Sequence, residues 1–473
     1  MPDPALAPAP TAAPVPEIAD PATWTGRSAA DVARGFLGVD YACPACGRRH
    51  AVATRRLETR PGVARDLVPL LADLGLSGRP LVVFDANTRA AAGDALLAGL
   101  DPLAPATHVF RRDDLHADEA ALGSLLAALA ARPAFLVSCG SGTVTDIVRY
   151  VALQAGLPFV SYATAASVDG FASSVTPLIV DGFKRTYPGK APLAILADPG
   201  VLAAAPRRMT AAGFGDVLGK VTALLDWRLA RDLDGEAHCP TIDALVDKAV
   251  VECLALSGAL ARSEPSAVGT LLDVLALTGI AMQLMGTSRP ASGAEHQVSH
   301  LLEMGDIRRH RPGSLHGDKV GLGTLAGMGL YLRLFGDGNL PAQRPTMPAR
   351  VWESEVRRVF GPQADAVVAN NPHEPLSGAA WDAQKRRLAA ALDAYGHGIV
   401  QGYRTLLPAA AGMIEAIGGP VKPSQLGYSE QDARDAVGFG KEVNAAKLTV
   451  MRIAERFGLL YEFAEAAAAD WPG

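Results

Sequence analysis

The chain has 473 residues, 49 % hydrophobic and 20 % charged, with a formal net charge of −5. That length exceeds what one ordinary hydrophobic core supports, so two domains are expected. The mildly negative balance, with lysines and arginines scattered, gives no electrostatic basis for a nucleic acid or an anionic membrane as partner.

The opening run, M-P-D-P-A-L-A-P-A-P-T-A-A-P-V-P, reads as a disordered Ala/Pro leader over residues 1–22. It lacks the basic start and apolar core of a secretory signal. Next comes C-P-A-C-G-R-R-H, which places Cys43 and Cys46 close to His50. A structural zinc needs four ligands, and no second pair lies nearby; Cys239, beside His238, is only a distant candidate. The expectation is a turn without metal. The five cysteines, with Cys139 and Cys253 completing the set, are too few and too scattered for a disulfide framework. They point to a reducing, cytoplasmic setting.

From Leu81 onward, short apolar runs alternate with helical ones. L-V-V-F-D, T-H-V-F, A-F-L-V-S-C, L-P-F-V-S-Y and A-P-L-A-I-L are predicted strands buried on both faces. With helical crossovers between them they imply a doubly wound, mostly parallel α/β sheet. Strand signals stop near Arg207, and the rest is Ala/Leu-rich with helical spacing. The predicted organisation is an α/β dinucleotide-binding domain over 23–206 and an all-α domain over 207–473. The longest apolar run, Val268 to Met285, is interrupted by Asp273 and Gln283. A buried helix fits it better than a membrane span, so no integral membrane segment is expected.

Four places carry candidate chemistry. F-L-V-S-C-G-S-G-T is a strand leading into a Gly-rich turn, where Gly140 and Gly142 let the backbone approach a diphosphate. Thr145 breaks the usual dinucleotide fingerprint, and tight strand-to-helix turns use glycine in any case. Asp85, ending an earlier strand, could hold a ribose hydroxyl or cap the following helix. S-Y-A-T-A-A-S-V-D-G-F-A-S-S places Asp169 beyond a strand's carboxyl end, where such sheets bind ligands, although Asp-Gly is also a common turn. The fourth place holds His296, His300 and His316, three of the ten histidines. His296 and His300 share a helical face, and an H-G-D-K turn returns His316 towards them. A carboxylate completes such a divalent-metal set. Asp216, in A-A-G-F-G-D-V-L-G-K, is the candidate, unless it merely opens a helix as a charge favoured by the dipole.

The ordered set G-S-G-T-V-T-D, Y-A-T-A-A-S-V-D-G-F-A-S, G-F-K-R-T-Y-P, A-A-G-F-G-D-V-L-G-K, A-E-H-Q-V-S-H-L-L-E and H-G-D-K-V-G resembles the glycerol-1-phosphate dehydrogenases, most closely their bacterial form. These belong to the iron-alcohol-dehydrogenase and dehydroquinate-synthase-like superfamily. The resemblance runs from about Tyr41 to Phe463. It implies one divalent ion (zinc, nickel or iron) on Asp216, His296 and His316, with His300 turned to substrate. It implies that Asp169 and Asp216 contact the substrate's glycerol part. NAD or NADP would be lined by Asp85, Gly140, Gly142, Thr143, Val144, Thr145 and Asp146, and by Thr164, Ala165, Ala166, Ser167 and Ser173. A homodimer and a small phosphorylated substrate are also implied. Ser141 and Ala294 depart from the family pattern, and the Arg-rich loop from Gly305 to Leu315 looks longer than usual.

The expected reaction interconverts dihydroxyacetone phosphate and sn-glycerol 1-phosphate. Lys184, Arg185 and Lys319 are the candidates for the phosphate. Asp85 leans towards an unphosphorylated ribose by charge. The competing readings are a polyol or alcohol dehydrogenase of the same superfamily, a dehydroquinate-synthase-like cyclase, and a non-catalytic metal- and nucleotide-binding regulator.

Overall fold

The computed structural model describes residues 14–472, apart from 113, 181–182, 312, 372 and 374–376 and the side chains of 183 and 184. A short antiparallel hairpin, β1 (Asp40–Ala42) and β2 (Arg49–Ala51), precedes the main sheet. That sheet contains β3 (Arg56–Thr59), β4 (Pro80–Asp85), β5 (Ala106–Phe110), β6 (Phe135–Gly140) and β7 (Phe159–Ala163). A second hairpin, β8 (Val175–Val180) and β9 (Phe183–Pro188), stands outside it, and β10 (Ala194–Ala197) returns to it.

The six strands are all parallel, in the order β3-β10-β7-β6-β4-β5. Each of the five predicted strands is present. β6 and β7 are buried at every residue, as their unbroken apolar runs require once helices cover both faces. The chain runs from β4 outwards to β5 and then back to β6 on the other side of β4. The strand order therefore reverses between β4 and β6, whose carboxyl ends are Asp85 and Gly140. Ligands of such sheets bind at this kind of crevice.

One expectation needs correction. The last part of the supposed leader is ordered: Ile18 and Ala19 are buried, and the Ile18 carbonyl accepts from the indole N–H of Trp24, just beyond the leader, at 2.9 Å. Residues 1–13 of that leader lie outside the described residues. β3 and both hairpins also went unread: β1, β2 and β3 are short and mostly polar, and the apolar run of β8 is broken by Pro177.

After β10 the described chain is helical. The helices that build the site are α1 (Arg207–Leu218), α2 (Lys220–Asp234), α3 (Pro240–Ala261), α4 (Pro265–Met285), α5 (Ala294–Arg308) and α6 (His316–Phe335). α4 is long and apolar enough to cross a membrane by length and composition, yet 94 % of its most apolar window is buried inside the fold. Its two interruptions are partnered. Asp273 accepts from the Thr59 hydroxyl at 2.6 Å, and Gln283 meets the Ala53 N–H and Thr54 hydroxyl, each at 2.9 Å. These bonds fasten the helix to the segment that leads into the sheet.

Candidate active site

Asp216 lies near the end of α1, fully buried, and Gly219 separates α1 from α2. It does not open a helix, as one reading of its motif supposed. His316 is the first residue of α6, so H-G-D-K is a helix start and not an isolated turn. Glycine makes the meeting of these helices sterically feasible. A Cβ on Gly317 would lie 1.8 Å from the Ala212 carbonyl oxygen, and one on Gly213 would lie 2.0 Å from that of Ala166. Both positions therefore exclude any side chain, and α1 packs directly against α6 and against the loop after β7.

Asp216, His296 and His316 offer ligand atoms that all lie within 4.8 Å of one another. His296 Nε2 is 3.7 Å from Asp216 Oδ1. The other nitrogen of each imidazole is engaged by a carboxylate: His296 Nδ1 with Glu295 Oε1 at 2.8 Å, and His316 Nδ1 with Glu303 Oε1 at 2.9 Å. Such bonds fix the tautomer, leave Nε2 as the donor and raise its basicity. Burial, reinforced by Lys220 and His316, pushes the His296 imidazole well below its ordinary pKa. It therefore presents the neutral form that a metal requires. The donor set fits one divalent cation with open positions. His300 lies on the same face, its ring centroid 6.1 Å from that of His296 and 5.9 Å from that of His316.

Lys220, absent from the sequence-based candidates, stands at the centre of this cluster. Its buried ammonium lies 2.8 Å from Asp216 Oδ1 and 2.8 Å from Asp169 Oδ2. The Asp169 amide donates to Asp216 Oδ2 at 2.9 Å. Burial alone would raise the Asp216 carboxyl, but Lys220, His316 and His296 outweigh it and hold the group at about 2. Asp169 moves the other way, raised by burial and by the Asp216 charge beside it. The two carboxyls share one lysine yet differ in their hold on a proton.

The nucleotide candidates gather at the carboxyl ends of β4, β6 and β7. Gly140 pairs with Ala163, and the Thr164 amide donates to the Gly140 carbonyl at 3.1 Å. Ser141 Oγ lies 2.5 Å from Ser167 Oγ, joining the Gly turn to the loop after β7. Gly142, Thr143, Val144, Thr145 and Asp146 form the first turn and a half of a helix spanning Gly142–Gln154. Val144, Ala165 and Ala166 are buried, so any ligand contact there involves mainly the backbone. Three side chains are committed to local structure. Asp146 accepts from Arg149 at 2.6 Å, and the Ser173 hydroxyl bonds to Val175 N and O at 3.0 Å. Asp85 Oδ1 accepts from the Thr88 N–H at 2.7 Å, capping the Ala86–Leu100 helix.

Of the phosphate candidates, Lys319 is buried, its ammonium 2.9 Å from the Ser314 carbonyl and 3.3 Å from Glu303. Arg185 is exposed on β9, and the Lys184 side chain lies outside the described residues. Lys220, Glu295 and Glu303 had one legible trace: each sits one residue or one helical turn from a motif residue.

Residues 58–206 match the family model described as iron-containing alcohol dehydrogenase. Glycerol-1-phosphate dehydrogenase [NAD(P)+] of Bacillus licheniformis is 36 % identical over 296 residues, covering 62 % of this chain and 74 % of that protein. The Methanothrix thermoacetophila protein of the same name is 36 % identical, covering 59 % and 77 %. That of Bacillus subtilis is 41 % identical over 233 residues, 49 % of this chain and 59 % of its own length. Among solved structures, a probable glycerol dehydrogenase from Sinorhizobium meliloti superposes with a TM-score of 0.57 at 17 % identity, covering 87 % of this chain and 98 % of its own. A sulfoacetaldehyde reductase from Bifidobacterium kashiwanohense, solved with NAD+, gives 0.57 at 15 %, covering 88 % and 98 %. At such identities these two speak for the fold, a parallel-sheet domain followed by a helical part. The relatives at 36–42 % identity carry the classification: the chain belongs to the glycerol-1-phosphate dehydrogenase family.

Proposed function

We propose that this chain is a metal-dependent, NAD(P)-linked oxidoreductase that interconverts dihydroxyacetone phosphate and sn-glycerol 1-phosphate. One observation supports the reading above the others: Ser167 and Asp169, two residues apart on one loop, touch the Gly turn and the Asp216 cluster respectively. Coenzyme and metal sites would then face one small substrate.

Asp216, His296 and His316 would hold the cation, and Asp85 with the backbone of Gly140–Asp146 and Thr164–Ser167 would hold the coenzyme. When bound, the cation supplies Lewis-acid polarisation of the substrate oxygen and the coenzyme supplies or takes up the hydride. Glu295 and Glu303 orient the two imidazoles. Lys220 keeps Asp216 ionised despite its burial. The Asp169 carboxylate, paired with Lys220 at 2.8 Å, would accept a hydrogen bond from a substrate hydroxyl. His300 is positioned to move the proton that the substrate oxygen gains or loses.

The test follows coenzyme absorbance with dihydroxyacetone phosphate and with unphosphorylated dihydroxyacetone. Net oxidation of the reduced coenzyme by the phosphate ester alone is the expected result. Equal rates with both would favour a polyol dehydrogenase, and no net turnover would leave a cyclase or a regulator. A homodimer and a reducing, cytoplasmic setting belong to the same proposal; sedimentation analysis tests the dimer.

A further inference from the structure

Apart from the Asp216 cluster, a second group of donors meets in the fold. The sulfurs of Cys43, Cys46 and Cys239 and a ring nitrogen of His50 all lie within 4.8 Å of one another. The expected metal-free turn lacked a fourth ligand, and the structure supplies it from 196 residues away. Cys239 is the residue before α3, while His238 turns aside to Asp243 at 2.8 Å.

Two details match a tetrahedral cation site. The Cys43 and Cys239 sulfurs are 3.8 Å apart, and Cys46 Sγ is 3.3 Å from His50 Nε2. A tetrahedron with Zn–S arms of about 2.3 Å has an S···S edge of about 3.8 Å, and its S···N edge is about 3.6 Å. A disulfide would need about 2.05 Å, and all five cysteines are free. The His50 ring is oriented from behind, its Nδ1 lying 2.6 Å from the Leu284 carbonyl, so that Nε2 faces the sulfurs. Metal-bound histidines are held in this way. Gly47 has a φ of +72°, as the tight Cys-Pro-Ala-Cys-Gly turn requires.

We propose that Cys43, Cys46, His50 and Cys239 bind a structural zinc ion, separate from the catalytic cation. Four protein ligands leave no open position, so the ion does no chemistry. Its work is mechanical: it clasps the β1–β2 hairpin to the start of α3 and, through His50, to the end of α4. Beside Leu284, Gln283 bonds to Thr54 and to the Ala172 carbonyl at 2.5 Å. The clasp therefore braces the helix against which the Asp169–Ala172 turn is packed.

The experiment counts zinc in the full-length protein purified under reducing conditions. After dialysis against a chelator that empties the Asp216 site, about one equivalent per chain is expected to remain. An organomercurial should release that equivalent, detected with a chromophoric zinc indicator. His316→Ala should retain it, whereas Cys239→Ser and Cys46→Ser should lose it. X-ray absorption of the retained zinc should show three sulfur neighbours at about 2.3 Å. Because the count survives His316→Ala, it stands or falls independently of the redox assignment. Mercurial treatment of the wild-type protein keeps the test decisive should the cysteine variants fail to fold. Wild-type protein with no mercurial-releasable zinc, or Cys239→Ser with an unchanged zinc count, would overturn the proposal.

Discussion

Lys220 Nζ lies 2.8 Å from Asp216 Oδ1, four residues on and across the Gly219 bend, with both side chains fully buried. Burial disfavours the ammonium, but Asp169 and Asp216 more than compensate and raise its pKa above the usual lysine value. Removing one partner of a buried pair typically costs about 3–5 kcal/mol, because the other charge is left uncompensated. Lys220→Met should lower unfolding stability by about that amount in urea titrations. A loss under about 1 kcal/mol would mean that Asp216 and Asp169 do not depend on this ammonium.

The imidazoles depend on their carboxylate partners. Glu303→Gln removes the charge behind His316 while preserving size, and should weaken metal binding about 10–100-fold. His316→Ala should abolish both binding at this site and turnover. Metal titration followed by calorimetry reads both, with circular dichroism confirming the fold. Unchanged affinity in Glu303→Gln would leave the 2.9 Å contact without a role in ligation.

Asp85 serves as a helix cap through one oxygen, and its charge disfavours a phosphorylated ribose. Serine caps about as well as aspartate. Asp85→Ser should therefore leave thermal stability within about 1 kcal/mol. The NADP-to-NAD ratio of kcat/KM should rise about tenfold, equivalent to about 1.4 kcal/mol. Steady-state kinetics with each coenzyme decides this, and an unchanged ratio would place the ribose elsewhere.

Asp273, the acidic residue within α4, gives a pH signature of its own. Burial raises its carboxyl from 3.8 to about 6, despite the Thr59 hydroxyl bond. A folded-state pKa above the unfolded one means that the favourable contribution is complete below about pH 4. It is lost as pH rises through about 6, at a cost of up to about 3 kcal/mol. Asp273→Asn should thus stabilise the protein at pH 8 and do little at pH 4. Parallel denaturant curves at the two pH values test the sign; equal effects at both would contradict it.

Much of this protein is legible one segment at a time. Unbroken apolar runs announced β4, β6 and β7, because strands covered on both faces need no polar alternation. The four-residue spacing of His296 and His300 placed both on one helical face, and the Gly140–Gly142 turn marked a carboxyl strand end. Edge strand β3 and the first hairpin escaped because they are short and mostly polar, whereas the second hairpin carries Pro177 within an otherwise apolar run, which argues against a strand. The partners that make the cluster work escaped for a different reason. Glu303 stands behind His316, Lys220 bridges Asp216 and Asp169, and Cys239 meets Cys43 only after the helices have packed. Local periodicity reports which face of an element is buried. Which distant residue that face meets depends on helix crossings, and these in turn depend on contacts as specific as Gly317 against the Ala212 carbonyl.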